Sequence, residues 1–151
     1  MRITEEGIKG SFKNIIVDRP WGYFGLYSDN EICTTKILYL KQGQSLSRQL
    51  HIKRSQFYLL LDGEFTLEYS DSQVPINKVG NIVMTKTELH NWYLKHNVMS
   101  DGFTGDMFGF EKRTVHRITY IGKKEYGRVL DLAFGENDEN DIIRLDDEYG
   151  R

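Results

Sequence analysis

Four side chains with nitrogen or oxygen donors recur at intervals that would bring them together in a sheet protein. Gln49 and His51 are two positions apart, so their side chains point to the same face of a strand. Gln56 follows beyond a turn or bulge and can approach the same point from the returning chain. Much later, His116 could lie opposite His51 across a barrel interior. The spacing predicts one pocket that contains Gln49, His51, Gln56 and His116.

The chemistry indicated by these donors is the binding of a divalent metal ion. Neutral imidazole and carboxamide groups can hold Zn, Ni, Co or Fe, but the set contains no carboxylate, so capture of the ion should be weakened. We interpret His51 as a ligand rather than as a buried histidine that is simply hydrogen-bonded. An amide at Gln56 agrees equally with a weak metal site and with a lost one. His90 is an alternative to His116 as the second histidine ligand. We prefer His116, because five residues separate Gly105 from the segment Glu111–His116, whereas His90 lacks this interval after Gly80.

Basic residues accompany the proposed pocket on both sides. The guanidinium fork of arginine suits phosphate oxygens, and lysine supplies a point charge. One interpretation is an anion-binding surface, and the other is a solvated basic face. The candidate substrate-binding residues are Lys53, Arg54, Arg113 and Arg117, with Lys112 beside them.

Short strands separated by turns must position these residues. The segments rich in β-branched, aromatic or leucine residues predict an all-β sandwich or barrel. The dipeptide Asp62-Gly63 favours a β-hairpin, because it accepts positive φ in a type I′ turn. The predicted strands are Thr34–Lys41, Phe57–Asp62, Glu64–Tyr69, Asn81–Thr85, Asn91–Leu94, Val115–Tyr120 and Arg128–Phe134.

Two other segments are predicted to lack strands. Met99–Gly109 contains three glycines and two phenylalanines and is interpreted as a long loop, either an active-site cover or a variable insertion. Asn140–Glu148 has a modest helical pattern, and the acidic run Glu136–Asp141 before it is interpreted as a loop or a helix start. The chain is therefore expected to form one domain over 1–151, with a core at about 17–135 and a C-terminal helix or tail at 136–151.

Composition excludes several classes of function. The chain has 151 residues and a formal net charge of −2, which gives no electrostatic basis for binding nucleic acid or a membrane surface. Cys33 is the only cysteine, so an intrachain disulfide is impossible. No apolar run approaches the roughly 20 residues of a membrane helix, and the first ten residues lack a signal-peptide core. We expect a cytoplasmic protein.

The spacing resembles the two motifs of the cupin superfamily. In that superfamily a glycine, five residues, His-x-His, four residues, a glutamate, six residues and a glycine precede a later Pro-x-Gly-x-x-His. Here Gln49 stands at the first histidine, Gln56 stands at the glutamate, and Glu111-Lys112-Arg113 replaces Pro-x-Gly at the same distance from His116. The resemblance implies a cupin jelly-roll β-barrel with a degenerate metal site.

A narrower resemblance is to type II mannose-6-phosphate isomerases. Their motifs are similar to Arg19-Pro20-Trp21-Gly22, Leu46-Ser47-Arg48-Gln49-Leu50-His51, Thr114-Val115-His116-Arg117 and the tail 140–151. In that family glutamine already replaces the first histidine, so the departure is at Gln56.

The resemblance implies metal-dependent isomerisation of mannose 6-phosphate to fructose 6-phosphate. The ion would polarise a sugar carbonyl and stabilise an enediolate. A general base is also required, and Glu111 and Glu64 are the candidates. The alternative is a non-catalytic cupin that binds a sugar or a nucleotide sugar. Cupins often pair through sheet edges, so a homodimer is expected, with Ile15, Ile16, Trp21, Tyr23 and Phe24 as the apolar run that pairs.

Overall fold

The fold is built from short antiparallel strands. The structure is a computed structural model that describes residues 12–29, 33–136, 138 and 140–150. The described residues form eleven strands and one helix. In chain order these are β1 (Phe12–Arg19), β2 (Gly22–Asp29), β3 (Cys33–Lys41), β4 (Arg48–Leu50), β5 (Arg54–Asp62), β6 (Glu64–Ser70), α1 (Lys86–His96), β7 (Asn97–Phe103), β8 (Met107–Phe110), β9 (His116–Tyr120), β10 (Tyr126–Gly135) and β11 (Ile143–Asp146).

The strands form two sheets, as the all-β jelly-roll prediction requires. One sheet has the order β1-β2-β3-β10-β5-β8, and the other has the order β11-β4-β9-β6-β7. Every strand pair is antiparallel. Apolar residues at alternate positions bury one face of each sheet. In β3, for example, Leu38 and Leu40 are buried, whereas Lys41 is exposed.

Two apolar clusters hold the fold together. The larger lies between the sheets and includes Leu40, Leu60, Phe65, Leu67 and Ile118, all of which are inaccessible to solvent. The smaller joins α1 to the second sheet through Leu89 and Tyr93 of the helix and Leu50, Val115 and Leu145 of the sheet side. The second cluster anchors the strands that carry Gln49 and His116, so it fixes two of the predicted pocket residues.

Helix α1 corrects two strand predictions. Asn91–Leu94 lies inside α1, and Asn81–Thr85 forms no strand in the described structure. The helix begins with a capping box, in which the Thr85 side chain accepts from the Glu88 backbone and the Glu88 side chain accepts from the Thr85 backbone. The pattern Thr-x-x-Glu was present in the sequence and indicates a helix start more strongly than the apolar residues indicate a strand.

Segment 97–110 is not a long loop. It forms β7 and β8, which pair with β6 and β5 respectively. Gly102 in β7 packs closely against the core, because a Cβ at that position would lie 2.6 Å from a methyl group of Leu60 and 2.9 Å from one of Leu67, and these side chains would have to shift. The glycines that suggested a loop therefore reflect close packing against the core as well as turns.

The Asp62-Gly63 step does not form a hairpin. Gly63 has the predicted positive φ of 120°, but β5 and β6 belong to different sheets, so the chain crosses between sheets here. In the C-terminal segment, predicted as a short helix or a tail, Ile143–Asp146 form β11, which pairs with β4. Residues 1–11 lie outside the described residues. Within the part of the chain that is described, no helix is long and apolar enough to cross a membrane.

Candidate functional site

A cleft of about 140 Å³ opens between the two sheets. Gln49 of β4, Gln56 of β5 and His51 in the turn between these strands line it, as the spacing predicted. His116 of β9 is buried nearby, and its ring centroid lies 6.0 Å from that of His51. The structure therefore brings the four predicted pocket residues together, with three in the cleft lining and His116 behind it.

His51 is held so that one ring nitrogen remains open. Its Nδ1 donates to the backbone carbonyl of Asp141 at 2.5 Å, and the Asp141 carboxylate accepts from the backbone amides of Ile52 and Lys53 at 2.9 and 2.8 Å. Because Nδ1 carries the proton, Nε2 carries a lone pair. Among the described residues, this buried Nε2 has no hydrogen-bond partner.

His51 is also kept neutral by its surroundings. Burial lowers its pKa to about 3, and His116, Arg54 and Lys36 act in the same direction. The ring is therefore neutral over the whole physiological pH range. Its Nε2 can accept a hydrogen bond from a molecule in the cleft.

His116, Gln56 and Asp131 form a buried chain of polar groups. Nε2 of His116 lies 2.7 Å from Oε1 of Gln56, and Nε2 of Gln56 lies 3.3 and 3.4 Å from the two Asp131 oxygens. Burial lowers the pKa of His116 to about 4 and raises the pKa of Asp131. The His116 ring also stacks on Phe110, with centroids 4.5 Å apart. The Gln56 amide therefore links the imidazole of one sheet to the carboxyl group of the other.

These donors do not fit a resident divalent metal ion. Nε2 of His116 contacts Gln56, and Oε1 of Gln49 accepts from the Ser47 hydroxyl at 2.7 Å. Of the two imidazoles, His51 alone presents an open nitrogen. Within the described ranges, no group of three His, Cys, Asp or Glu side chains is arranged to hold a metal ion. The set also lacks the anionic ligand that would favour capture of such an ion.

The charge of the cleft is strongly positive. Among the described residues, its lining contains four cationic side chains and one acidic side chain: Arg19, Lys36, Arg54, Arg144 and Asp131. The Lys36 ammonium and the Arg19 guanidinium lie 4.9 and 5.2 Å from the centre of the Phe24 ring, which holds them at the rim. Nε of Arg144 is buried without a hydrogen-bond partner among the described residues. An anionic ligand would satisfy this donor.

Of the four predicted substrate-binding residues, only Arg54 lines the cleft. Lys53 is exposed and pairs with Asp138 at 2.8 Å and with Glu136 at 3.5 Å. Arg113 adopts a φ of 67° and donates from its guanidinium to the Val74 carbonyl at 2.8 Å.

Arg117 is also placed away from the cleft. It alternates with the buried residues His116 and Ile118, so it points to the opposite face of β9. There its Nε donates to Glu68 at 2.6 Å. Proximity in sequence to His51 and His116 was therefore a poor guide, because neighbouring strand residues face opposite sides.

The two candidate bases are also outside the cleft. Glu64 is exposed at the start of β6, because the next residue, Phe65, points into the core. Glu111 is exposed in the turn that follows the buried Phe110. Neither carboxylate belongs to the cleft lining.

Sequence reasoning missed Asp131, Lys36, Arg19 and Arg144. A signal existed for two of them. Asp131 lies between Val129 and Ala133 in the alternation of β10, and Lys36 lies on the same face of β3 as Leu38. Inward-pointing charges on otherwise apolar faces indicate a polar cleft inside the barrel. Asp131 and Lys36 are direct neighbours in the ladder between β10 and β3.

The sequence matches one protein family over more than half of its length. That family is described as mannose-6-phosphate isomerase C-terminal, and it matches residues 9–99. A search of the curated proteins gave no significant match.

The fold is similar to solved cupin structures. The RmlC-like cupin from Shewanella frigidimarina aligns with a TM-score of 0.60 and 16% identity over 89% of this chain and 96% of that one. KdgF from Halomonas sp. aligns with a TM-score of 0.61 and 14% identity over 88% of this chain and 99% of that one. The capsular polysaccharide assembling protein CapF from Staphylococcus aureus aligns with a TM-score of 0.65 and 11% identity. The alignment covers 91% of this chain but only 35% of the CapF chain. These likenesses establish the cupin fold.

Proposed function

Because the chain belongs to the mannose-6-phosphate isomerase C-terminal family, we propose that its cleft binds a sugar that carries a phosphate or diphosphate group. Sugar phosphates and nucleotide sugars are the two ligand classes concerned. The observation that carries the proposal is two buried polar atoms that have no hydrogen-bond partner among the described residues and belong to residues of one cleft lining: Nε2 of His51, an acceptor, and Nε of Arg144, a donor. A sugar hydroxyl complements the first and a phosphate oxygen complements the second.

The charges of the cleft support an anionic group rather than a neutral sugar alone. Lys36, Arg54 and Arg144 lie in the lining together with a single carboxylate, Asp131. Burial raises the pKa of Asp131. Arginine binds phosphate through parallel hydrogen bonds in a fixed geometry. The whole chain has a net charge of −2, so the cleft lining is more positive than the chain as a whole.

A carbohydrate ligand also agrees with one structural neighbour. CapF is described as a capsular polysaccharide assembling protein, and its cupin-like part resembles this chain in fold. Because the sequence identity is only 11%, this likeness supports the same fold but does not show that the two proteins bind the same ligand. The ligand class rests on the family and on the residues of the cleft.

Calorimetric titration of chelator-treated protein tests the proposal. Mannose 6-phosphate and GDP-mannose represent the two ligand classes, and mannose and inorganic phosphate represent their parts. We expect one of the two phosphorylated sugars to bind more tightly than either part, because only the complete molecule uses both open atoms. Equal affinity for mannose and mannose 6-phosphate, or no binding of any phosphorylated sugar, would reject the proposal.

A second candidate function is isomerisation of mannose 6-phosphate to fructose 6-phosphate. The position of the unpaired Nε2 of His51 in the cleft favours it, since this atom is placed to take a proton from the sugar. Lys36 and Arg54 would stabilise the negative charge of the enediolate that results. This second function uses that base and these cations, and it needs no metal ligand set. Among the described residues, His, Cys, Asp and Glu side chains form no such set.

An NMR assay of mannose 6-phosphate tests the second function. Turnover should occur in the presence of a chelator, and His51→Gln should abolish it while binding of the phosphate persists. Turnover that requires added Zn, Co, Ni or Fe would contradict a metal-independent mechanism. Binding without turnover under every condition would leave the sugar-binding function and reject the isomerase.

A further inference from the structure

The residue behind Gln56 explains why this position carries an amide. Asp131 of β10 is 6% exposed, and Gln56 of β5 is 7% exposed. In the ladder between these strands, Gln56 is opposite Ala133 and Asp131 is opposite Tyr58, so the two side chains lie diagonally on the inner face. The amide nitrogen of Gln56 lies 3.3 and 3.4 Å from the Asp131 oxygens.

A glutamate at position 56 would replace that nitrogen with a carboxylate oxygen. Two carboxylate oxygens would then face each other at about the separation of the present hydrogen bond, inside the protein. Like charges in a buried site are strongly unfavourable. Asp131 therefore opposes the carboxylate that would complete a group of His51, His116 and residue 56. The negative charge of this site is placed behind position 56 rather than beside the two imidazoles.

We propose that Gln56 and Asp131 are a coupled pair that excludes a divalent metal ion from the cleft, and that exchanging their amide and carboxylate creates a metal site. The exchange is Gln56→Glu with Asp131→Asn. The new amide at position 131 would donate to the new carboxylate at position 56, as Gln56 now donates to Asp131, and the total charge of the pair is unchanged. His51 and His116 would then share the cleft with an ionised glutamate, and two histidines with one glutamate form a known zinc ligand set. This inference does not depend on which sugar the cleft binds.

Cobalt binding to the full chain tests the pair. Four proteins are compared: the wild type, Gln56→Glu, Asp131→Asn and the double variant. Titration with Co²⁺ alone, followed by its visible absorption and by metal content after gel filtration, measures affinity and stoichiometry. The double variant should bind one equivalent about tenfold or more tightly than Gln56→Glu, since a partner of a metal ligand typically changes affinity by about 10- to 100-fold. Adding His51→Ala to the double variant should remove the ion.

Three results would overturn the proposal. Gln56→Glu alone could bind Co²⁺ as tightly as the double variant, the wild type could bind one equivalent that depends on His51, or the double variant could bind no better than the wild type. Each would show that Asp131 does not control metal binding through position 56.

Stability measurements keep the proposal testable if the double variant binds poorly because it folds poorly. In urea unfolding, Gln56→Glu should lower the midpoint relative to the wild type, and Asp131→Asn in the same chain should recover most of the loss. A midpoint for Gln56→Glu equal to that of the wild type would show that the two carboxylates do not repel, and the coupling would be refuted.

Discussion

At the scale of single residues, His51 combines three properties that its neighbours do not share. It lines the cleft, its Nδ1 is bound to the Asp141 carbonyl, and its Nε2 is open within the described structure. His116 is equally buried, but its Nε2 contacts Gln56. The Asp141 carbonyl therefore orients the His51 ring so that His51, and not His116, has a ring nitrogen available to bind a ligand.

The acid sensitivity of folding should depend on His51. Its pKa is about 3 in the folded protein and about 6.5 in the unfolded chain, so only the unfolded chain binds this proton between these values. The free energy of unfolding should therefore fall as the pH drops from about 6.5 towards 3. His116, with a pKa of about 4, adds to the same trend, whereas the raised pKa of Asp131 opposes it at the lower end. Arg54 and Lys36 also face His51 and keep it neutral.

Urea unfolding from pH 7 to pH 4 measures this effect. His51→Gln should give a shallower dependence of stability on pH than the wild type. His90→Gln, on α1 and outside the cleft lining, should leave the slope unchanged. Equal slopes for the wild type and His51→Gln would show that His51 does not remain neutral in the folded protein.

Arg144 should contribute directly to affinity for a phosphorylated sugar. Its Nε is a buried donor without a partner in the described part of the chain, and a hydrogen bond to a charged group contributes about 1.5 to 3 kcal/mol. Arg144→Gln should weaken binding of mannose 6-phosphate about tenfold or more in calorimetry. Arg128→Gln is the control, because Arg128 is exposed on β10 and lies outside the cleft lining. Equal losses for both variants would indicate a non-specific charge effect.

At the scale of elements, a charged network ties the strands of the second sheet to one another. Glu68 of β6 accepts from Arg48 of β4 at 2.8 Å and from Arg117 of β9 at 2.6 Å, and Arg48 also pairs with Asp146 of β11. Burial alone would raise the pKa of Glu68, but the hydrogen bonds and charges of the two arginines hold it below its usual value. Arg48 also lies 4.9 Å from the centre of the Tyr93 ring of α1.

Removing the charge of Glu68 should destabilise the sheet. Glu68→Gln leaves two partly buried arginines without their shared carboxylate, and breaking a buried ion pair costs about 3 kcal/mol or more, with a smaller loss where water reaches the side chains. Thermal and urea unfolding measure the change. Lys53→Gln, which removes exposed ion pairs, should have little effect. A loss no greater in Glu68→Gln than in Lys53→Gln would contradict the structural role of this network.

At the scale of the whole molecule, alternation and spacing predicted the sheets well. The predicted strands at Thr34–Lys41, Phe57–Asp62 and Arg128–Phe134 fall within β3, β5 and β10. The spacing also identified the residues that converge around His51. These features could be predicted because strand periodicity and motif intervals are local properties of the chain.

Other features depend on contacts that no local pattern records. Strands β5 and β6 join different sheets, so Asp62-Gly63 does not form a hairpin. Gly102 packs closely against Leu60 and Leu67, which lie far from it in sequence. The role of Arg144 depends on the pairing of β11 with β4, which sets Arg144 opposite Gln49 although the two are far apart in sequence. Helix α1 is a different case, because the pattern Thr85-x-x-Glu88 is visible in the sequence and indicates a helix start. The strand prediction for Asn91–Leu94 rests on a weaker signal, the apolar and aromatic residues of that short segment.

The edge of the six-stranded sheet remains our candidate for a homodimer interface. Within the described residues, β1 is the last strand of that sheet, and Ile15 and Ile16 on it are 45% and 59% exposed. Trp21 and Phe24 are buried in the protein's own cleft, so they no longer belong to the expected pairing surface. Exposed edge strands favour pairing with a second chain.

Light scattering coupled to gel filtration tests this expectation. The wild type should elute as a dimer, and Ile16→Lys should elute as a monomer. Val79→Lys, at an exposed turn residue, should remain dimeric. A wild-type protein that is monomeric at high micromolar concentration would contradict the homodimer.

The central claim is that the cleft binds a phosphorylated sugar through cationic side chains and His51, without a metal ion. Anomalous diffraction from crystals grown with mannose 6-phosphate and Co²⁺ tests both parts at once. We predict phosphate density beside Arg144, a sugar hydroxyl within hydrogen-bond distance of Nε2 of His51, and no anomalous peak between His51 and His116. An anomalous peak coordinated by both histidines, with Gln56 turned away from Asp131, would contradict the account.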